Sequence, residues 1–261
     1  MGRRIDGTAG DVEYGTIGRD YARYRQPDPH ISRAIREELG DVRTVLNVGA
    51  GAGSYEPVDL EVTAVEPSAT MRAQRPPHLA PAIDAVAEDM PFPDASFDAA
   101  MATSTVHQWS NLAAGIGELR RVTRGPILIM HSDPDALRTY WLNDYLPEAL
   151  DVEARRFPAP AHLVGLLGSG TVVRSVPIPR DCTDGFAEAY FGRPERFLEP
   201  GVRGAMSSFT LVEPAAMERF VRRLGDDLAS GEWDRRYGHH REMDEFDGSL
   251  RLMIRPAPVS L

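Results

Sequence analysis

Short aliphatic and β-branched runs alternate with amphipathic stretches along most of the chain. TVLNVGAG, EVTAVEPS, IDAVAED, FDAAMATST and PILIMHSD each read as a strand. Between and before them, PDPHISRAIREELG, residues Ala69 to Arg75 and NLAAGIGELRRVTRG read as helices. The first of these has Pro29 near its start, a face of Ile31, Ala34, Ile35 and Leu39, and a closing Gly40. A brief helical turn is expected over Glu56 to Leu60. DALRTYWLNDYLPEAL and PAHLVGLLG are again helical in pattern, TVVRSVPIP is a sixth strand and LRLMIRPAP a last one. Strands alternating with helices predict an α/β fold, a mostly parallel sheet covered on both faces. In such sheets ligands bind outside the carboxyl ends of the strands. The segment 180–248 is too long for a plain connection and predicts a helical insertion over the site.

One strand end is conspicuous. VLNVGAGAGSYE breaks a hydrophobic run with Gly49, Gly51 and Gly53, the composition needed where a chain turns sharply and a ligand meets the backbone. A dinucleotide turn wants G-x-G-x-x-G, but Ser54 stands where the third glycine would fall. A P-loop needs a lysine, and all 29 basic residues of this chain are arginine. Glu66 ends the second strand 17 residues after Gly49. That is close to the roughly 20 residues at which an acid bonds ribose hydroxyls in this architecture. An ionised carboxylate suits a 2′,3′-diol and repels a 2′-phosphate, so adenosine without a pyrophosphate is the expected ligand.

VLNVGAGAGSYE, VEPS, AEDMPFPDASFDAAMA and STVHQW together resemble the class I S-adenosylmethionine-dependent methyltransferases, and within them the small-molecule branch related to ubiquinone and trans-aconitate methyltransferases. The similarity is best over residues 44–133. It implies a Rossmann-like, doubly wound sheet of about seven strands, mostly parallel with the last antiparallel, and a helical lid between strands 6 and 7. It implies one domain over 1–261: an N-terminal cap to residue 43, a core sheet over 44–179, a lid over 180–248 and the last strand over 249–261. The glycine turn would approach the methionine part of S-adenosylmethionine, and Glu66 the ribose, with Pro67 and Met71 beside it. Asp89 would reach the adenine amino group, Met90 would pack on the ring, and Thr105 and Trp109 would close the site. Tyr24 and Arg25, with Tyr14 and Tyr21, resemble a segment that closes over the cofactor carboxylate. Asn47 departs from the family, which usually has Asp or Glu there, so it keeps an acceptor and loses a charge.

The chemistry implied is methyl transfer to an O, N or C nucleophile of a small secondary or specialised metabolite, with S-adenosyl-L-homocysteine as product. His107, just past the fourth strand, is the candidate base or orienter, since an imidazole titrates near neutrality. His131 and Asp133 could join it around a metal, but Asp133 equally suits a helix cap, and no metal is expected. His239 and His240 lie in a charged stretch and are expected in solvent. A protein of this fold that binds the cofactor for a cyclisation, a rearrangement or sensing is the alternative, because fold does not fix function.

The net charge of −10 argues against nucleic acid or an anionic membrane as partner. The absence of lysine excludes Schiff-base chemistry and the Tyr-x-x-x-Lys pair of short-chain reductases. One cysteine, Cys182, and an N-terminal MGRRIDGTAG without an apolar core lead to the expectation of a cytoplasmic protein, monomeric or homodimeric.

Overall fold

The computed structural model describes residues 21–257, with side chains from residue 23 onward. Tyr14 lies outside the described residues, as does the side chain of Tyr21. Among the described residues eight strands occur in chain order: β1 Thr44–Val48, β2 Glu61–Val65, β3 Ala99–Thr103, β4 Ile127–Ser132, β5 Val172–Ser175, β6 Ile178–Pro179, β7 Glu245–Phe246 and β8 Leu250–Arg255. Six of them form the main sheet in the order β2-β1-β3-β4-β8-β5, and β6 pairs only with β7. β1 runs parallel to β2 and β3, and β3 parallel to β4. β8 is antiparallel to both β4 and β5. The antiparallel last strand is as expected.

Successive residues of the central strands point to opposite faces, and each face has its own core. Val45, Ala99, Met101, Leu128 and Met130 face one, with Ile31, Ile35 and Leu39 of the helix Pro29–Leu39. Leu46, Val48, Ala100, Ala102, Ile127 and Ile129 face the other, with Ile116, Leu119 and Val122 of the helix Leu112–Val122. Both helices begin as polar residues dictate. Asp28 accepts from the amides of His30 and Ile31, with Pro29 in the first turn, and Asn111 accepts from Ala114 N.

Three expected elements differ. IDAVAED does not form a strand, so the sheet has six strands rather than about seven. Only Ile83 bridges to Val65, and Ile83 and Val86 remain exposed. Pro81 precedes the bridge, and a strand that cannot bury one face has little to hold it. The turn over Glu56–Leu60 is not helical: Val58 is 89% exposed and has nothing to pack on. TVVRSVPIP splits into β5 and β6 around Pro177, which has no N–H to donate to a ladder.

The segment 180–248 holds short helical turns and the long helix Pro214–Ser230. Its Phe197, Phe220 and Trp233 belong to the same core as Val45 and Leu128 of the sheet. Trp141, after β4, joins the two parts: its ring lies 5.3 Å from Trp233 and 5.7 Å from Phe197, and its Nε1 donates to Phe191 O. Among the described residues no helix is long and apolar enough to cross a membrane.

Candidate active site

At the end of β1 the chain turns in left-handed backbone that only glycine adopts freely. Gly49 has φ +68° and Gly51 φ +52°. The amides of Gly49 and Ala50 both donate to Val65 O, so the turn is tied to β2. A Cβ on Gly49 would sit 2.0 Å from Thr105 Oγ1, which leaves no room for a side chain. The carboxylate of Glu66, just beyond β2, accepts from Gly51 N and Ser68 N, both at 2.8 Å.

These elements surround a cavity of about 250 Å³. Of the expected residues, Arg25, Gly49, Gly51 and Glu66 line it, as do Pro67, Met71, Thr105 and Trp109. The Trp109 ring fits because Gly115 stands behind it, where a Cβ would lie 2.5 Å from Cε3. The other expected residues lie outside the lining. Gly53 turns the chain against Leu79. Asn47 is fully buried beneath the turn, its Nδ2 donating to Glu56 Oε1 at 3.0 Å, while Glu56 pairs with buried Arg75 at 2.9 Å. Asp89 is exposed and its neighbour Glu88 lines the cavity instead, held by Ser110 Oγ and Asn111 N. Met90 packs into the core. Tyr24 packs on the segment 180–248, its hydroxyl end over Gly201.

A second cavity, of about 110 Å³, lies inward and shares Arg25, Tyr55, Ser104 and Asp184 with the first. His107 lines this inner space and is buried. Its ring stacks on His131 at 5.5 Å and meets Phe157 edge-on at 5.0 Å. Burial, then the charges of His131 and Arg156, hold the His107 pKa well below the ordinary value, and burial pushes His131 down to about 3. Both rings are neutral at pH 7. Asp133 caps the short helix Pro134–Leu137. Among the described residues no group of three or more His, Cys, Asp or Glu side chains is arranged to hold a metal.

Several lining residues carry no sequence signal. Tyr55 and Ser104 adopt φ +64° and +51°, conformations that favour glycine. Asp184, from the DCTDGF run, pairs with Arg25 at 2.5 Å and accepts from Tyr55 Oη. Glu153 and Glu188 reach the inner cavity from distant helical segments. Only the Asp-Gly turn at Asp184-Gly185 has a local signature, and it marks a turn rather than a site.

A parallel sheet whose ligand-sized cavity opens at the carboxyl ends of β1, β2 and β3, floored by a glycine turn and walled by a strand-end acid, is the architecture of a nucleoside-cofactor transferase. The family model described as a methyltransferase domain matches residues 46–126. A solved structure from Anabaena variabilis, described as a methyltransferase from an antibiotic biosynthesis pathway, is 31% identical with a TM-score of 0.82 over 88% of this chain and 98% of that one. The chain belongs to the class I S-adenosylmethionine-dependent methyltransferases. A Thermotoga maritima S-adenosylmethionine-dependent methyltransferase shares the fold at 15% identity and a TM-score of 0.51, covering 91% of this chain and 92% of that one. So does the 4+2 cyclase SpnF, at 17% identity and 0.50, covering 88% and 81%. A comparison with curated proteins found no match.

Proposed function

We propose that this enzyme methylates a small-molecule acceptor held in the inner cavity, using S-adenosylmethionine held in the outer one. The observation that carries the reading is the adjacency of the two cavities, which share Arg25, Tyr55, Ser104 and Asp184. The residues present fit the cofactor. Glu66 presents a carboxylate already oriented by two amides, and at Gly51 the main chain lines the cavity without a side chain. Glu66 would hold the ribose, Gly49 and Gly51 the amino-acid part, Glu88 the polar edge of the base, and Trp109 and Met71 the apolar faces. When bound, the cofactor supplies an activated methyl on a sulfonium, so the protein's task is chiefly alignment and exclusion of water. His107, kept neutral by burial, orients the acceptor and takes its proton where one must leave. The segment 180–248 serves as the acceptor lid and the residues up to 43 as the cap of a single domain. The protein works in the cytoplasm as a monomer or homodimer, without nucleic acid or membrane.

Calorimetric titration with S-adenosylmethionine and S-adenosylhomocysteine tests the cofactor. Micromolar binding is expected, lost in Glu66→Ala, with none of NAD or NADP. Transfer of a labelled methyl to a recovered product tests the reaction. Product formed without label, the cofactor being bound, would favour a cyclase-like use of the same fold.

A further inference from the structure

The inner cavity has an unusual balance of hydrogen-bonding groups. Glu153 and Glu188 line it together with His107. Among the described residues that line it the one cation, Arg25, is bound to Asp184, and the buried Arg156 behind the wall acts on His107 and Glu153. Glu188 is 1% exposed and receives its hydrogen bonds from Ser249 N and Oγ, while nearby Arg251 pairs with Asp247. Glu153 accepts from the Ser208 hydroxyl at 2.8 Å. His107 is 8% exposed, and its buried Nδ1 has no hydrogen-bond partner among the described residues. The rest of the wall includes the aromatic rings Tyr55, Phe157 and Phe186 and the thioethers of Met130 and Met206.

Resting on the two-cavity reading above, we propose that the inner cavity is an ammonium site: the acceptor is a small amine that enters as a cation, held by Glu188 and Glu153, with His107 Nδ1 as a further acceptor and aromatic faces around it. The ammonium would give one proton to His107 Nδ1, and the freed nitrogen lone pair would form the N–C bond as the methyl's C–S bond breaks and the sulfonium becomes a thioether. An ammonium group carries donors only, and this wall offers acceptors. A carboxylate ligand would meet two further carboxyls here, and a neutral alcohol would add no positive charge beside Glu188, whose hydrogen bonds come only from the neutral Ser249. Aromatic faces add cation–π attraction that neither of those ligands collects. Burial, with Glu153 adding to it, raises the Glu188 pKa to about 7, and a cation bound beside it would favour its ionised form.

The set 2-phenylethylamine, 2-phenylethanol and 3-phenylpropionate has nearly one shape and three charges. These probes are titrated by calorimetry into the full chain, with and without S-adenosylhomocysteine. The amine is expected to bind at least tenfold more tightly than the alcohol, and the acid more weakly than either. Glu188→Gln should bring the amine-to-alcohol ratio to within about threefold of unity while leaving alcohol binding in place. Comparable binding of all three, preference for the acid, or no binding of the amine overturns the proposal. So does an amine preference that survives Glu188→Gln and Glu153→Gln alike. If a variant fails to fold, the three-probe comparison on the unaltered chain decides alone. Loss of S-adenosylhomocysteine binding by the unaltered chain would instead remove the cofactor reading, and the amine comparison would still be readable.

Discussion

Tyr55 Oη donates to Asp184 Oδ2 at 2.8 Å across 129 residues of sequence. The bond joins the glycine turn to the segment 180–248, and both residues line both cavities. Burial and the Asp184 charge hold the Tyr55 hydroxyl protonated far above neutrality, so it stays a donor. Tyr55→Phe removes a donor from a buried carboxylate, an expected loss of about 1–3 kcal/mol in urea unfolding. It should also weaken S-adenosylhomocysteine binding. An unchanged midpoint and unchanged affinity would show that the link carries neither stability nor site geometry.

Gly49→Ala should be severe. A Cβ would enter Thr105 at 2.0 Å, and φ +68° costs a non-glycine residue about 1 kcal/mol by itself. A total loss of about 2–4 kcal/mol is expected, with loss of cofactor binding. Gly49→Ala combined with Thr105→Gly should recover part of the stability, because the collision is relieved and the backbone strain is not. Equal instability of the single and double variants would show that the collision is not the cause.

The pair of Glu56 and Arg75 lies under the turn with both side chains almost fully covered. Removing one partner strands the other, so Arg75→Met should cost about 3–5 kcal/mol. Glu56→Gln combined with Arg75→Met should cost less than Arg75→Met alone, because no ionised group is then left buried. Chemical unfolding of the three proteins checks this, and a double variant worse than the single would contradict it.

Stability should fall as pH is lowered through the histidine range. His131 is depressed to about 3 by burial, whereas the unfolded chain takes up its proton near 6.5. Between those values the unfolded state binds more protons, so stability is complete above about pH 6.5 and declines toward pH 3, at about 1.4 kcal/mol per pH unit for one such group. His107 has the same sign. His131→Phe should flatten the slope in urea midpoints measured from pH 7 to pH 5. An unaltered slope would assign the acid sensitivity elsewhere.

The fold was legible where local pattern and burial agree. Val45, Leu46 and Val48, interrupted only by the buried Asn47, form an apolar run because a central parallel strand is covered on both faces. The Asp28 and Asn111 caps mark their helix starts. IDAVAED carries three acids among its seven residues and forms only the single bridge of Ile83 to the sheet, with Ile83 and Val86 left exposed. The floor of the outer cavity was equally readable, because glycines and a strand-end acid are contiguous with their strands. Asp184, Glu153 and Glu188 were not. They are placed by bonds to residues far away in sequence, Asp184 with Arg25, Glu153 with Ser208 and Glu188 with Ser249, and nothing within a few residues of any of them announces the meeting.

The incomplete edge at Ile83 has a kinetic meaning. Val86, Ala87 and Glu88 wall the outer cavity, yet this stretch is joined to β2 by Ile83 N to Ala64 O and Glu66 N to Ile83 O. A full strand there would have to unzip before the wall could move. As built, the rest of the wall is held by side chains, Arg72 on Asp84 and Ser110 and Asn111 on Glu88, rather than by a strand ladder. Amide exchange at Ile83 and Glu66 should therefore outpace that at Leu46 and Val48, and slow when S-adenosylhomocysteine binds.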